Sequence, residues 1–152
     1  MKKTLQVNAL ENGTVLDHLP SKKVLKIVRV LQEEEEEHHG MITVGIYLPS
    51  KQSTTKGIIK LNNRYLDEKA LNKVVILAPD TTLNVIKNYE VVEKKQIELR
   101  GIEDGILSCN NPNCITNHET LLTKFSILGK SPLHLRCHYC ERSVKEGEIV
   151  IR

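Results

Sequence analysis

The chain has 152 residues, enough for one domain or two small ones, and its composition excludes several classes of protein. Its formal net charge is only +3, and it contains one Phe, four Tyr and no Trp, so the basic stripe and stacking aromatics of a nucleic-acid-binding protein are not expected. Because it has no apolar run of about eighteen residues and no apolar leader after Met1, we expect a cytoplasmic protein without a membrane span.

Four segments of the first hundred residues have the pattern of strands. Alternation of polar and apolar residues predicts strands over residues 4–10, 41–48, 57–61 and 82–94. A turn is expected at 11–13, where Asn12 precedes Gly13, and an irregular or extended stretch follows over 15–20.

Two segments have the pattern of amphipathic helices. Ser21 is a suitable N-cap for a helix over about 22–32, whose apolar stripe is formed by Val24, Leu25, Ile27, Val28 and Leu31. A second helix opens at Asp67 and ends at Ala78-Pro79-Asp80. We interpret the acidic run at 33–37, with the two histidines that follow it, as a solvated loop rather than a metal site.

The resulting order is β-α-β-β-α-β, which is the order of the ferredoxin-like fold. This order predicts one antiparallel sheet of four strands, with both helices packed on one face. The opposite face is then left open for a partner, which in such domains is often a second copy.

All four cysteines lie in two short clusters in the last third of the chain. Four residues separate Cys109 from Cys114, two separate Cys137 from Cys140, and twenty-two lie between the pairs. Two such pairs on tight turns place four thiolates around one ion, as in structural zinc sites. The Asn-Asn-Pro-Asn sequence between Cys109 and Cys114 favours the turn that this requires.

The alternatives for these cysteines are two disulfides or four free thiols, and His118, His134 and His138 are alternative ligands. Disulfides are typical of small secreted domains, which begin with a leader that is not seen here. Four cysteines already complete a tetrahedral site and leave no open position. We therefore predict one structural Zn²⁺ per chain rather than a catalytic metal.

The cysteine distribution predicts two domains, over residues 1–100 and 101–152, with a polar linker at 95–104. The second segment is too short to build a large core, so it is expected to need its metal to fold. Short antiparallel strands are predicted in it near 106–108, 123–127, 133–136 and 148–151.

No catalytic constellation is recognisable in the sequence. Asp17-His18 is the one polar pair with acid–base potential, but adjacent residues on an extended chain point to opposite faces. The chain is therefore expected not to be an enzyme.

Binding is the remaining interpretation. Lys60 and Lys94 lie on predicted strands, near segments that carry Asp17, Asn84 and Tyr89. Ammonium groups suit phosphates, and carboxylate and amide groups suit the edges of a base or a ribose. By type alone these are also ordinary residues of a sheet edge.

Several motifs decide between these interpretations when they are taken together. They are Leu-Gln-Val at 5–7, Gly-Thr-Val-Leu-Asp-His-Leu-Pro at 13–20, Ile-Thr-Val-Gly at 42–45, Leu-Pro-Ser at 48–50, Thr-Leu-Asn-Val-Ile at 82–86, Asn-Tyr-Glu-Val-Val at 88–92, and the two cysteine pairs followed by Ile115 and Glu141. In this combination the chain resembles the regulatory chain of aspartate carbamoyltransferase over nearly its whole length, through both domains in order. The acidic run at 33–37 departs from the pattern of that family.

The resemblance implies a non-catalytic subunit with two roles. Its N-terminal domain would bind the nucleotide effectors CTP, UTP and ATP and pair with a second regulatory chain. Its zinc domain would dock on catalytic chains that act in pyrimidine biosynthesis. The resemblance places polar contacts to those chains at Asn111, Asn113 and Glu141, and zinc at Cys109, Cys114, Cys137 and Cys140.

The resemblance also implies an effector site. Carried over by position, its residues are Ala9, Leu10, Val15, Asp17, His18, Lys60, Asn84, Ile86, Tyr89, Val91 and Lys94. By the same resemblance, Lys60 meets the base or ribose, His18 and Lys94 face the phosphates, and backbone groups near Leu10 and Tyr89 contact the base.

Two other classes of protein remain as alternatives. A zinc-ribbon protein that binds nucleic acid would show salt-sensitive binding to DNA or RNA. A small enzyme on a ferredoxin-like fold would show turnover by the isolated chain.

Overall fold

A computed structural model of the chain describes residues 9–35, 40–51 and 55–152. The chain divides into two compact units, Met1–Glu98 and Leu99–Arg152. Among the described residues, no helix is both long enough and apolar enough to cross a membrane.

The described part of the first unit contains five strands and two α-helices. In chain order they are β1 (Gly13–Leu19), α1 (Val24–Glu34), β2 (Ile42–Pro49), β3 (Thr55–Asn62), α2 (Glu68–Leu77), β4 (Thr82–Lys87) and β5 (Glu90–Gln96), with a 3₁₀ turn at Ser21–Lys23 before α1. The strands form one sheet in the order β2-β3-β1-β4-β5, and every neighbouring pair is antiparallel.

The two faces of this sheet differ in burial. Leu16 pairs with Ile59 on one side and with Leu83 on the other, and all three side chains are buried. Their core includes the buried stripe of α1, which contains Ile27 and Leu31. Val15, Lys60 and Asn84, which alternate with these residues, are only half-buried, so among the described residues the opposite face is open at this level of the sheet.

The predicted fold class is confirmed. An antiparallel sheet with two helices is followed by a C-terminal β unit that contains a four-cysteine cluster. Both helical crossovers skip a strand, because β3 lies between β1 and β2 while β1 lies between β3 and β4. This is the split βαβ arrangement that the predicted order implies.

The first described strand lies at a segment that the sequence pattern does not predict as a strand. Residues 4–8 of the predicted strand lie outside the described residues, and Ala9 and Leu10 are not in a strand. The first described strand is β1, at the segment predicted to be irregular or extended. Alternation is interrupted there because β1 contains a bulge between Leu16 and Leu19, at which His18 has φ of 60°.

The segment predicted as one strand over 82–94 is a hairpin of β4 and β5. Asn88 and Tyr89 have φ of 52° and 65°, and two consecutive left-handed residues reverse the chain tightly. Glycine is the usual sequence signal for such a turn, but the sequence has no glycine here. The hairpin adds a fifth strand to the predicted four.

The helices lie near the predicted positions, but α1 starts differently and continues to Glu34, into the acidic run predicted to be a loop. Ser21 is not its N-cap: α1 begins at Val24, and the Ser21 hydroxyl instead accepts a hydrogen bond from the Tyr47 amide at 3.1 Å. Leu25, which was assigned to the apolar stripe, is 64% exposed. The N-cap of α2 is the predicted one, since the Asp67 carboxylate accepts from the Ala70 amide at 2.8 Å.

The second unit is built from five short strands among its described residues. β6 (Leu107–Ser108) pairs with β10 (Val150–Ile151), and β7 (Phe125–Lys130), β8 (Leu133–Cys137) and β9 (Ser143–Lys145) form a sheet in that order. Four of these strands were predicted, and the three-residue β9 was too short to show a period. Of the predicted linker, residues 95 and 96 belong to β5, while Ile97 and Leu99 are buried.

Gly13 lies where the sheet leaves no room for a side chain, and its replacement tests this packing. Gly13 has φ of 140°, and a Cβ there would lie 2.0 Å from the Leu61 carbonyl oxygen. We expect Gly13→Ala to lower the free energy of unfolding by about 2–4 kcal/mol, because strain and a backbone clash add. Urea unfolding of the chain measures it.

The control is Gly101→Ala, since a Cβ at Gly101 meets nothing within 4 Å. It should change the free energy of unfolding by less than about 1 kcal/mol. Equal stability of the two variants would contradict the packing described for Gly13.

Candidate metal centre and ligand site

The four cysteines of the second unit converge on one point. Their sulfur atoms all lie within 4.8 Å of one another. The Cys109 and Cys140 sulfurs are 3.7 Å apart, and those of Cys114 and Cys137 are 3.8 Å apart. A disulfide requires about 2.05 Å, so these pairs are not disulfides. Thiolates at about 2.3 Å from a tetrahedral zinc would lie about 3.8 Å from each other, so the spacing fits a metal of this kind.

Short elements with defined hydrogen bonds place these cysteines. Cys109 directly follows β6, and Cys137 is the last residue of β8. The Cys114 amide donates to the Asn111 carbonyl at 3.0 Å, which closes the first turn. The second turn is closed by the Glu141 amide, which donates to the Cys137 carbonyl at 2.9 Å while Glu141 has φ of 62°.

Burial disfavours the thiolate form of two of the cysteines. It raises the pKa of the Cys109 thiol to about 12, against the lowering effect of a hydrogen bond from the Asn111 backbone. Burial also raises the pKa of Cys137. Burial acts in the same sense on Cys140, but hydrogen bonds from the Asn111 side chain and the Arg142 backbone outweigh it and lower that pKa to about 7. Metals bind thiolates, so loading this site must release protons.

A second layer of polar groups surrounds the sulfurs. The buried Thr116 hydroxyl lies 3.1 Å from the Cys114 sulfur. The Asn117 side-chain amide donates to the carbonyls of Cys109 and Asn111, at 3.0 and 2.7 Å. Such contacts orient metal ligands. Sequence reasoning missed Thr116 and Asn117, although both lie within three residues of Cys114.

The alternative histidine ligands are not in the metal-ligand cluster that the described residues form. His118 instead makes a contact of 2.7 Å between its Nε2 and the Pro112 carbonyl. His138 is exposed and packs edge-on against Tyr139. The cluster consists of cysteines alone.

The residues predicted to contact catalytic chains lie on the two cysteine turns. The Asn111 side chain accepts from the Asn113 amide at 3.1 Å, and Asn113 itself is exposed. Glu141 is exposed in the second turn. A metal at the cysteines would therefore hold all three of these residues in place.

In the first unit, four of the predicted ligand residues form a row across the open face of the sheet. Lys60 on β3 pairs with Val15 on β1, Val15 pairs with Asn84 on β4, and Asn84 pairs with Lys94 on β5. Directly paired residues share a face, so these four side chains lie side by side. They come from four strands, and the register brings them together.

Lys60 is the most buried cation of this row. Partial burial lowers its pKa, and the nearby Asp17 carboxylate raises it in part. Asp17 itself forms an ion pair with Lys56, whose ammonium lies 2.9 Å from Oδ1 and 3.0 Å from Oδ2. Lys56 was not among the predicted residues. Its position was a usable signal, because it precedes Lys60 by four residues on β3 and so lies on the same face.

His18 lies beside a pocket at the end of β1. Its Nδ1 is 3.0 Å from the Thr82 hydroxyl, and its amide donates to the Asp17 carboxylate at 2.6 Å. An open pocket of about 450 Å³ is lined by His18, Leu19, Pro20, Ser50, Thr55, Lys56, Asp80, Thr82 and Gln96. Lys60 and Lys94 do not line it. The predicted residues are thus divided between this pocket and the row on the sheet.

The remaining predicted residues lie toward the opposite end of β1. Ile86 pairs with Gly13 on one side and with Val91 on the other. Tyr89 lies in the turn between them and is 66% exposed. Its amide donates to the Glu11 carbonyl at 2.9 Å, which places the turn against the segment that follows Ala9 and Leu10.

Comparison with known proteins identifies the family. The profile described as "Aspartate carbamoyltransferase regulatory chain, allosteric domain" matches residues 5–98, and that of the metal binding domain of the same chain matches residues 102–150. The chain belongs to the aspartate carbamoyltransferase regulatory chain family.

Individual relatives agree with this assignment. The aspartate carbamoyltransferase regulatory chain of Pyrococcus abyssi is 44% identical over 146 residues, covering 96% of each chain. That of Bacteroides thetaiotaomicron is 43% identical over 150 residues, covering 99% of this chain and 97% of its own. That of Thermococcus kodakarensis is 40% identical over 149 residues, covering 98% and 97%.

The family assignment confirms two expectations from the sequence. The resemblance to aspartate carbamoyltransferase regulatory chains is shown, and membership of a family of regulatory chains agrees with a non-catalytic subunit. The four-cysteine cluster lies wholly within the residues that match the metal binding domain.

Substitution of one cysteine tests whether the four cysteines, rather than neighbouring residues, are the metal ligands. We expect Cys137→Ser to lower the metal content well below one ion per chain and to loosen the second unit, because a serine hydroxyl is a poor ligand for this type of metal. Elemental analysis of the purified chain measures the metal, and near-ultraviolet circular dichroism follows the fold.

The matched control is His138→Ala, the histidine adjacent to Cys137 and outside the cluster. It should keep the metal content of the unchanged chain. A loss of metal in His138→Ala as large as that in Cys137→Ser would show that the ligand set is wrong.

Proposed function

We propose that the chain is the regulatory subunit of a cytoplasmic aspartate carbamoyltransferase, which binds CTP, UTP and ATP on its first unit and controls catalytic chains that dock on its second. The observation that carries the nucleotide assignment is the row of Lys60, Val15, Asn84 and Lys94 on the open face of the sheet. Family membership supplies the regulatory role, because the first unit matches an allosteric domain.

The dimensions and chemistry of this face suit a nucleotide. Lys60 and Lys94 are three strand spacings apart, which is about 14 Å at about 4.8 Å per strand. An extended nucleoside triphosphate has this length scale. The Asn84 amide and the apolar Val15 lie between the two ammonium groups, where they suit a ribose.

Residues at the two ends of β1 extend the proposed site. His18 and Lys56 line the pocket at one end and offer donors for phosphates. The corner formed by Leu10, Ile86, Tyr89 and Val91 lies at the other end and is assigned to the base. Because the Tyr89 amide already donates to Glu11, the group that the Tyr89 backbone offers a ligand is its carbonyl.

The metal of the second unit is proposed to be zinc with a structural role. Four cysteines and sulfur separations of 3.7 and 3.8 Å suit tetrahedral Zn²⁺. When bound, the ion would cross-link the two cysteine turns. Asn111, Asn113 and Glu141 on these turns would then meet the catalytic chain.

Control of a distant enzyme follows from differential binding. A nucleotide changes the activity of catalytic chains only to the extent that it binds one state of the assembly better than the other. Pairing of two regulatory chains through the first unit is part of the same proposal.

Two neighbouring lysines on β5 provide a matched test of the nucleotide site. Lys94 pairs with Asn84 on the open face, whereas Lys95 pairs with Leu83 on the opposite face and forms an ion pair with Glu93 at 3.3 Å. We expect Lys94→Ala to weaken CTP and ATP binding about ten- to a hundredfold, through loss of charge-assisted hydrogen bonds. Isothermal titration calorimetry measures the binding.

Lys95→Ala removes the same charge from the other face and should change the affinity less than about threefold, since exposed charges act weakly at a distance. Zinc content should be unchanged in both variants. If the two substitutions weakened binding equally, the open face would not be the site.

The regulatory role itself is tested by assembly. We expect the metal-loaded chain to form a large complex with trimers of the cognate catalytic chain in sedimentation velocity, and a chelator to dissolve it by loosening residues 109–140 first. Nucleotide binding by the first unit should survive chelation. A complex that persists after complete metal removal, or none under zinc-replete conditions, would contradict the proposed docking.

A further inference from the structure

The two residues that directly precede β1, Glu11 and Asn12, accept hydrogen bonds from two separate turns. The Tyr89 amide donates to the Glu11 carbonyl at 2.9 Å, and the Asn88 amide donates to the side-chain Oδ1 of Asn12 at 3.1 Å. The Asn63 amide, just beyond β3, donates to the Asn12 carbonyl at 2.9 Å. Glu11 and Asn12 therefore join the start of β1 to the β4–β5 turn and to the end of β3.

All three donors are in the left-handed region of backbone conformation. The φ angles are 56° at Asn63, 52° at Asn88 and 65° at Tyr89. Asparagine tolerates this region, but a bulky aromatic residue rarely adopts it. A turn with two consecutive left-handed residues prefers glycine at the second position, which Tyr89 occupies. The turn thus has an intrinsic cost that contacts from outside must offset.

The strained turn borders the corner of the proposed nucleotide site. Ala9 and Leu10 precede the accepting residues, and Tyr89 and Val91 lie in or next to the donating turn. The hydrogen bonds to Glu11 and Asn12 connect these two sides of the corner. If these hydrogen bonds were lost, the segment at residues 9–12 and the β4–β5 turn would no longer be held in fixed positions relative to each other.

We infer that Asn12 is a positioning residue for the base end of the effector site, and this inference rests on the proposed function. Its side-chain carbonyl oxygen holds the Asn88 amide and with it the left-handed turn that presents Tyr89. Asn12 does not itself contact the nucleotide. It acts through the geometry of the turn.

Asn12 is the member of this group that substitution can test. Of the three bonds, only the one to Oδ1 uses a side chain, and the other two use main-chain carbonyls. The bond is exposed to solvent, and such bonds contribute little to overall stability. Its loss is therefore expected to affect the conformation of the turn more than the folding of the unit.

The experiment compares three substitutions in the full, zinc-loaded chain. Asn12→Ala removes the acceptor, and Asn12→Asp keeps a side-chain oxygen in the same place. Glu11→Gln is the control, because Glu11 takes part only through its carbonyl. Calorimetry at physiological salt measures binding of two probes, CTP and inorganic tripolyphosphate, which has no base.

We expect Asn12→Ala to weaken CTP binding about five- to tenfold, the effect of losing one exposed hydrogen bond that orders the site. Asn12→Asp and Glu11→Gln should remain within about twofold of the unchanged chain. Tripolyphosphate binding should be the same in all four proteins, because the turn lies at the base end. Amide hydrogen exchange at Asn88 should be faster in Asn12→Ala only.

The outcomes separate this inference from the proposed function. If the unchanged chain binds neither CTP nor ATP, the proposed function fails. If the unchanged chain binds CTP and Asn12→Ala binds it equally well, the role of Asn12 is wrong. The role is also wrong if Asn12→Asp loses as much affinity as Asn12→Ala, or if tripolyphosphate binding falls in parallel with that of CTP.

Discussion

The first unit depends on the pairing of β1 with two strands at once. β1 lies at the centre of the sheet and bonds to β3 on one side and β4 on the other, and both partners are separated from it by long stretches of chain. The same register creates both faces. Leu16, Ile59 and Leu83 meet in the core, and one position along, Val15, Lys60 and Asn84 meet on the open face. A slip of one residue would exchange the two faces, so packing of the core also sets the geometry of the proposed site.

The second unit depends on a different interaction. Its strands are two to six residues long, and its buried core includes the cysteines themselves. The four sulfur atoms converge within 4.8 Å of one another, as metal ligands do, and burial raises the pKa of the Cys109 and Cys137 thiols, so a bound cation would be needed to hold them as thiolates. In such a small unit, a bound metal would take the place of a larger apolar core.

Backbone strain in the first unit lies beside the proposed nucleotide site. His18 at the β1 bulge and Tyr89 at the β4–β5 turn are both left-handed, and hydrogen bonds from neighbouring segments hold each of them. Strain of this kind persists where the surroundings determine the conformation, and it is concentrated at functional sites. The features that interrupt the regular pattern of the strands thus lie where they would shape the proposed ligand-binding face.

The sequence alone determined the fold class, the two α-helices and the grouping of the four cysteines. These depend on local patterns: Asp67 caps α2 as predicted, and the spacing of Cys109, Cys114, Cys137 and Cys140 already implies a common metal. Recognisable motifs gave the family. They also gave the proposed site residues, which periodicity could not have selected.

Only the tertiary structure decided the register and the exceptions to the patterns. The bulge at His18 interrupts alternation, so β1 was not recognised as the central strand. The left-handed Asn88 and Tyr89 convert a predicted single strand into a hairpin, without the glycine that signals such a turn. The position of Lys56 on β3 could be read from the sequence, but its ion pair with Asp17, 39 residues away in the chain, could not. Each of these features depends on contacts between distant segments, which local propensity does not encode.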